Sequence, residues 1–210
     1  MAIEIRYKEA EGELFGMSKL WGCADLPHGC RYPEMEWVDE DGMTCADPMT
    51  FICQIRLQDI ATCDSENLLP HTGMLYFFAD IDYFLGNLEA DSPGMGQWDK
   101  DRYRVLYAPE TEHLDTHRIV REDGTAFGLP AQELSFAHCE ERTDGFKLLG
   151  KPYFEETEEE YPHYISLLQL DCNDDWRLQF YDCGMLNILI TPEDLAARKW
   201  EQAICHLHSF

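Results

Sequence analysis

Gly73-Met74-Leu75-Tyr76-Phe77-Phe78 and Gly184-Met185-Leu186-Asn187-Ile188-Leu189-Ile190 open alike and share one apolar character. Each run is too short for an independent helix and follows a turn glycine, so each reads as a buried strand. Upstream of each lies a second apolar run with a glutamine inside it. These are Met49-Thr50-Phe51-Ile52-Cys53-Gln54-Ile55-Arg56-Leu57 and Tyr164-Ile165-Ser166-Leu167-Leu168-Gln169-Leu170-Asp171. A glycine turn precedes each of these in its turn: Lys19-Leu20-Trp21-Gly22, with Pro27 beyond it, and Lys147-Leu148-Leu149-Gly150, with Pro152 beyond it. Tyr103 to Ala108 and Trp200 to Phe210 are the matching closing strands. The shift between the two sets is 128 residues from Gly22 to Gly150, 115 from Gln54 to Gln169 and 111 from Gly73 to Gly184. Loop lengths alone account for that drift.

The expectation is therefore an α+β fold, predominantly antiparallel β, in which an internal duplication of a β-rich unit forms one compact pseudo-symmetric domain over residues 1–210. The first repeat spans about 19–110, a connecting segment about 111–145 and the second repeat about 146–210. Around these anchors, Ile3, Ile5 and Tyr7 alternate as a short edge strand. A polar, proline-punctuated loop runs from Pro27 to Pro48, and Leu57 to Ala61 makes one helical turn. Ala79 to Lys100 is a surface excursion, with strands expected near Ile119-Val120 and over Glu133 to Ala137. Glu155 to Glu160 reads as an acidic loop. Thr191-Pro192-Glu193-Asp194 starts a helix, with a threonine cap, proline at the first position and acids in the first turn.

Six of these short elements, in order, resemble the YwqG-like family of bacterial domains of unknown function. The matching segments are Gly22 to Pro27, Met49 to Gln54, Leu69 to Phe78, Gly150 to Pro152, Leu167 to Asp171 and Asp182 to Leu186. The resemblance covers about residues 19–210 and implies a β-rich, internally duplicated domain without implying an activity. Trp21 and Leu149 stand where that family usually has the first glycine of each turn, a departure that sets a larger side chain beside any close backbone approach to a ligand.

Asp and Glu number 41 against 16 Lys and Arg, a formal charge of −25. A surface of that sign repels phosphate backbones and anionic head groups, which argues against nucleic acid and membrane partners and for a basic protein surface, if there is a partner. No apolar run approaches the ~18–20 residues of a membrane span, and the start lacks the layout of a secretory signal, so a cytoplasmic protein is expected. Nine cysteines, an odd number without a Cys-x-x-Cys pair, fit reduced thiols better than a disulfide framework or a zinc ribbon.

Candidate site residues follow from chemistry. Gln54 and Gln169 place amides inside apolar strands, where each must find partners, and a duplicated fold would bring both near its pseudo-twofold axis. The structural reading, that each amide ties down a glycine turn, outweighs ligand contact. Asp171 and Asp182 flank the hairpin of the second copy, and with Asp80 and Asp82 they offer carboxylates for acid/base work or a hard metal; solvated turn acids are the plainer reading. His113 and His117 have i, i+4 spacing without the glutamate of a zinc protease, and His206 and His208 share one strand face. Trp21, Tyr32, Trp37, Trp98 and Tyr161 sit in or beside expected loops, Trp21 and Trp37 being the aromatics set with the binding residues. No nucleophile elbow, phosphate loop or dinucleotide motif occurs. No catalytic residue, metal ligand or cofactor is assigned. The expectation is a non-enzymatic binding or protein-interaction module. The alternative is a metal-dependent hydrolase with its site between the repeats, using Asp171, Asp182 and His206.

Overall fold

The computed structural model describes residues 1–121 and 124–210. Its strands are β1 (Ala2–Glu9), β2 (Lys19–Leu20), β3 (Ala24–Pro27), β4 (Glu34–Val38), β5 (Thr44–Pro48), β6 (Thr50–Arg56), β7 (Met74–Ala79), β8 (Gly96–Gln97), β9 (Tyr103–Ala108), β10 (Leu114–His117), β11 (Gln132–Cys139), β12 (Lys147–Leu148), β13 (Ile165–Leu170), β14 (Met185–Ile190) and β15 (Ile204–His208). Three short helices join them: α1 (Leu57–Ile60), α2 (Glu155–Glu160) and α3 (Pro192–Ala196). Eleven strands form one curled, half-barrel sheet in the order β8-β15-β14-β13-β12-β1-β11-β2-β6-β7-β9, and β3/β10 and β4/β5 form two small ribbons. The pairings are antiparallel.

Alternation along the strands divides the interior in two. In β7, Leu75 and Phe77 enter a large core that also holds Ile3, Leu148, Leu186, Ile188 and Leu207, so it spans the sheet from one half to the other. Met74, Tyr76 and Phe78 point to the other face, where they join Leu26, Met49 and Phe51 in a smaller core. A period of two thus explains why these runs are apolar throughout: both faces are covered.

The glycine turns are strained in the same way. Trp21 and Leu149 have φ of 57° and 61°, and Gly22 and Gly150 follow at 79° and 83°. A Cβ on Gly22 would lie 2.8 Å from the Ala131 Cβ, and one on Gly150 would lie 2.7 Å from the Ala2 Cβ, so close backbone approach requires glycine at both. Thr191 caps α3 by accepting from the Asp194 amide, with Pro192 at the first position.

Several expectations give way. β1 is no edge strand: it pairs with β11 on one side and β12 on the other, at the middle of the sheet. Gln54 on β6 and Gln169 on β13 therefore lie away from that middle, with β12, β1, β11 and β2 between them. The loop expected between Pro27 and Pro48 contains the β4–β5 hairpin, and the acidic run Glu155–Glu160 is helix α2. His117 lies on strand β10 and His113 just before it, so the two imidazoles never share a helix face. Near Ile119-Val120 there is an isolated bridge from Val120 to Ala126 in place of a full strand. Trp200–Gln202 is a 3-10 turn, and the closing strand begins at Ile204.

Candidate functional site

Both interior glutamines are fully buried and fully engaged. The Gln54 Nε2 donates to the Met17 carbonyl at 2.9 Å and to Asp25 Oδ2 at 3.0 Å, and its Oε1 accepts from the Asp25 amide at 2.9 Å. The Gln169 Nε2 donates to the carbonyls of Thr143 and Gly145, each at 3.0 Å, and its Oε1 accepts from the Tyr153 amide. Each amide thus clamps the segment around its neighbouring glycine turn, and nothing of either is offered to solvent.

Next to each glutamine the sheet buries a lysine, Lys19 opposite Gln54 and Lys147 opposite Gln169. Their surroundings differ. Lys19 Nζ meets Asp25 Oδ2 at 2.7 Å. Burial pushes the Asp25 carboxyl up, but Lys19, the Thr116 hydroxyl and the Gly16 amide outweigh it and hold the group below its ordinary value. Among the described residues no carboxylate pairs with Lys147 in this way. Its Nζ donates to the carbonyls of Glu141 and Lys151, and burial brings its pKa down to about 8.

The remaining sequence candidates are dispersed. Asp171 lines a cleft of about 500 Å³ with Tyr7, Asp144 and Asn173, accepts from the Gly145 and Cys172 amides, and is raised by burial. Asp182 is exposed, and its backbone carbonyl accepts from Gln179. His206 is only 2% exposed, under Tyr161. Among the described residues no three His, Cys, Asp or Glu side chains gather as a metal-ligand set. All nine cysteines are free. Trp21 is 0% exposed, edge-on to Trp176 at 5.5 Å, and its ring cannot meet a ligand without leaving the core.

Trp37 is placed differently. It stands on β4, 44% exposed, and its Nε1 donates to Asp47 Oδ2 at 2.7 Å across the hairpin. It borders a groove of about 670 Å³. The floor and walls combine Met35, Val38, Val120 and Phe127 with seven carboxylates: Glu36 and Asp47 from the hairpin, Asp80 and Asp82 after β7, Glu89 and Asp91 beyond them, and Asp101 before β9. Two arginines face them, and each is already paired: Arg102 with Asp80, and Arg121 with Asp82 at 3.0 Å. Burial raises the Asp80 carboxyl in spite of Arg102, and Asp82 and Asp91 push it the same way. Val38 and Val120 are 66% and 64% exposed, so apolar surface and uncompensated negative charge lie side by side.

Of this groove, the sequence pointed to Trp37, Asp80 and Asp82. It missed the hairpin that presents Trp37, although Asp41-Gly42 between two extended runs is a hairpin signal. In the structure Asp39 Oδ1 accepts from the amides of Asp41 and Met43 and closes that turn.

Fold and groove together define an antiparallel β scaffold that carries an open acidic cleft on its irregular connections. A family described as "Domain of unknown function (DUF1963)" matches residues 18–208, and the chain belongs to that family. A search of curated proteins found no match. Among the described residues no helix is long and apolar enough to cross a membrane.

Proposed function

We propose that the chain is a cytoplasmic, non-enzymatic interaction module whose groove holds a protein partner by a basic surface. One observation carries this reading. Seven acidic residues line the groove that the exposed Trp37 ring borders, while the two arginines among them are both ion-paired. An exposed indole beside uncompensated carboxylates suits lysine and arginine side chains, whose stems lie on apolar surface while their heads meet charge. The overall charge of −25 steers such a partner in. Free cysteines throughout are in keeping with a reducing compartment.

The same reading includes an internal duplication of the YwqG-like kind. In its support, the sheet runs β2-β6-β7-β9 outward from β11 and β12-β13-β14-β15 outward from β1. A bulge lies between Phe51 and Cys53 and another between Ser166 and Leu168, each just ahead of its glutamine. The groove is then built mostly from connections in which the halves differ, the β4–β5 hairpin and residues 80–102, where the second half has α2 and α3, with Ile119, Val120, Arg121 and Phe127 from the segment that joins the halves.

Titration with lysine- and arginine-rich polypeptides tests the proposal. Binding should weaken as salt screens the groove, and Trp37→Ala should weaken it about tenfold or more, the behaviour of a central aromatic anchor. Equal affinity in wild type and Trp37→Ala, unmoved by salt, would sink the reading.

A further inference from the structure

The β4 strand meets the groove in an unusual way. Met35, Glu36, Trp37 and Val38, four residues in succession, all line it. Successive side chains on a strand point to opposite faces, so a groove lined by consecutive residues runs along the strand's edge and not over one face. From β5 only the last two residues, Asp47 and Pro48, take part. Among the described residues β4 pairs with β5 alone, and the hairpin's further backbone bonds, Asp39 to Met43 and Met49 to Pro33, close its two ends. No backbone hydrogen bond among the described residues reaches the other edge of β4, and the 3-10 turn Lys100–Arg102, which also lines the groove, comes close beside the strand.

Edges of this kind are ordinarily blunted by lysine, proline or a bulge. β4 reads Glu34-Met35-Glu36-Trp37-Val38, without lysine or proline, and its register with β5 is unbroken. Its charges are glutamates only. A second copy pairing edge to edge would set Glu34 and Glu36 against like charges, whereas a basic strand would find complementary ones.

We propose that this edge accepts an extended basic segment of a partner polypeptide as an added β-strand. The inference rests on the reading of the groove as a site for a basic partner, and it names how that partner enters. Main-chain hydrogen bonds to β4 supply affinity, and the alternating side chains supply choice. About five residues of the segment, roughly 17 Å, would lie along β4. Lysine or arginine at every second position would meet Glu34 and Glu36, which share one face of β4, and aliphatic residues between them would cover Met35 and Trp37 on the other.

The experiment uses the intact wild-type chain and a nonapeptide of alternating lysine and valine, measured by calorimetry. Two further versions carry backbone N-methyl groups on either the odd or the even residues. An added strand turns one set of amides toward β4 and the other toward solvent. One version should therefore lose binding tenfold or more while the other stays within about twofold of the parent. Equal loss in both versions, or loss in neither, overturns strand addition and leaves the basic-partner reading standing, provided the parent binds. A parent peptide that does not bind at all, with no response from any lysine-rich ligand, overturns both.

Discussion

Lys19 and Lys147 occupy the same kind of place, buried and opposite a buried glutamine, yet among the described residues Lys19 alone pairs with a carboxylate. The Lys147 pKa near 8 is below the ordinary 10.5, so the folded state binds that proton less tightly than the unfolded chain does. Its contribution to stability is therefore least at neutral pH and rises as pH climbs from about 8 toward 10.5, by at most about 3 kcal/mol. Denaturant unfolding of wild type and Lys147→Met at pH 7.5 and 9.5 should show the wild type gaining on the variant at the higher pH. A constant difference between them would mean that Lys147 stays charged in the fold. The burial of these lysines was not legible in the sequence, because Lys19 and Lys147 lie beside turns, where lysine is ordinarily solvated. The glutamines were legible, since an amide inside Phe51-Ile52-Cys53-Gln54-Ile55 has to be satisfied from within.

Among the elements, β6, β7, β13 and β14 announced themselves, because apolar runs covered on both faces need no partner to be recognised. β1 did not: its alternation of Ile3, Ile5 and Tyr7 is the same at an edge or in the middle, and only pairing with β11 and β12 decides. Helix α2 was hidden for another reason. Glu155-Glu156-Thr157-Glu158-Glu159-Glu160 sets like charges at i, i+3 and i, i+4, which opposes an isolated helix. What holds it is tertiary: Thr157 is buried, and Glu158 meets both Arg142 and Lys151. Beneath its C-terminal end lies His206, with Tyr161 at 5.0 Å, His208 at 6.5 Å between rings and Glu160 Oε2 3.9 Å from its Nε2. Neither ring nitrogen finds a hydrogen-bond partner. Burial lowers the His206 pKa, so the attachment of α2 is at full strength above the ordinary histidine value of ~6.5 and weakens as pH falls below it. Hydrogen exchange corrected for intrinsic rates should find residues 155–161 less protected at pH 5.5 than at pH 7.5, and His206→Gln should flatten that difference. An unchanged pH response in His206→Gln would assign the effect to the glutamates instead.

For the whole molecule the large core is the deciding feature. It draws on β1, β2, β6 and β7 and equally on β12, β13, β14 and β15, so the two ends of the sheet share it, and only the smaller core belongs to the β6–β7–β9 end alone. Unfolding should accordingly be a single transition, with tryptophan fluorescence and far-ultraviolet circular dichroism superimposable in urea. Two resolved steps would mean that the halves are independent. The compact β-rich unit was legible because motif order survives changes in loop length. The groove was less so: its walls come from residues within 35–49 and 80–102 and from 119–121 and 127, which only the fold brings together.

The central position of β1 also sets an order of events in time. Ala2 pairs with Cys139 and Glu9 with Gln132, so a growing chain makes one strand of the middle seam long before the other exists. The contact must wait for most of the intervening polypeptide, and closing so long a loop is entropically costly. The pairs β6–β7, β7–β9, β13–β14 and β14–β15 join strands that follow closely in the chain and need no such delay, although β8 at the sheet's end must wait for β15. Of the strands in this sheet β1 is thus made before its partners and enclosed late, and until they arrive Ile3 and Ile5 lack the core that covers them in the fold.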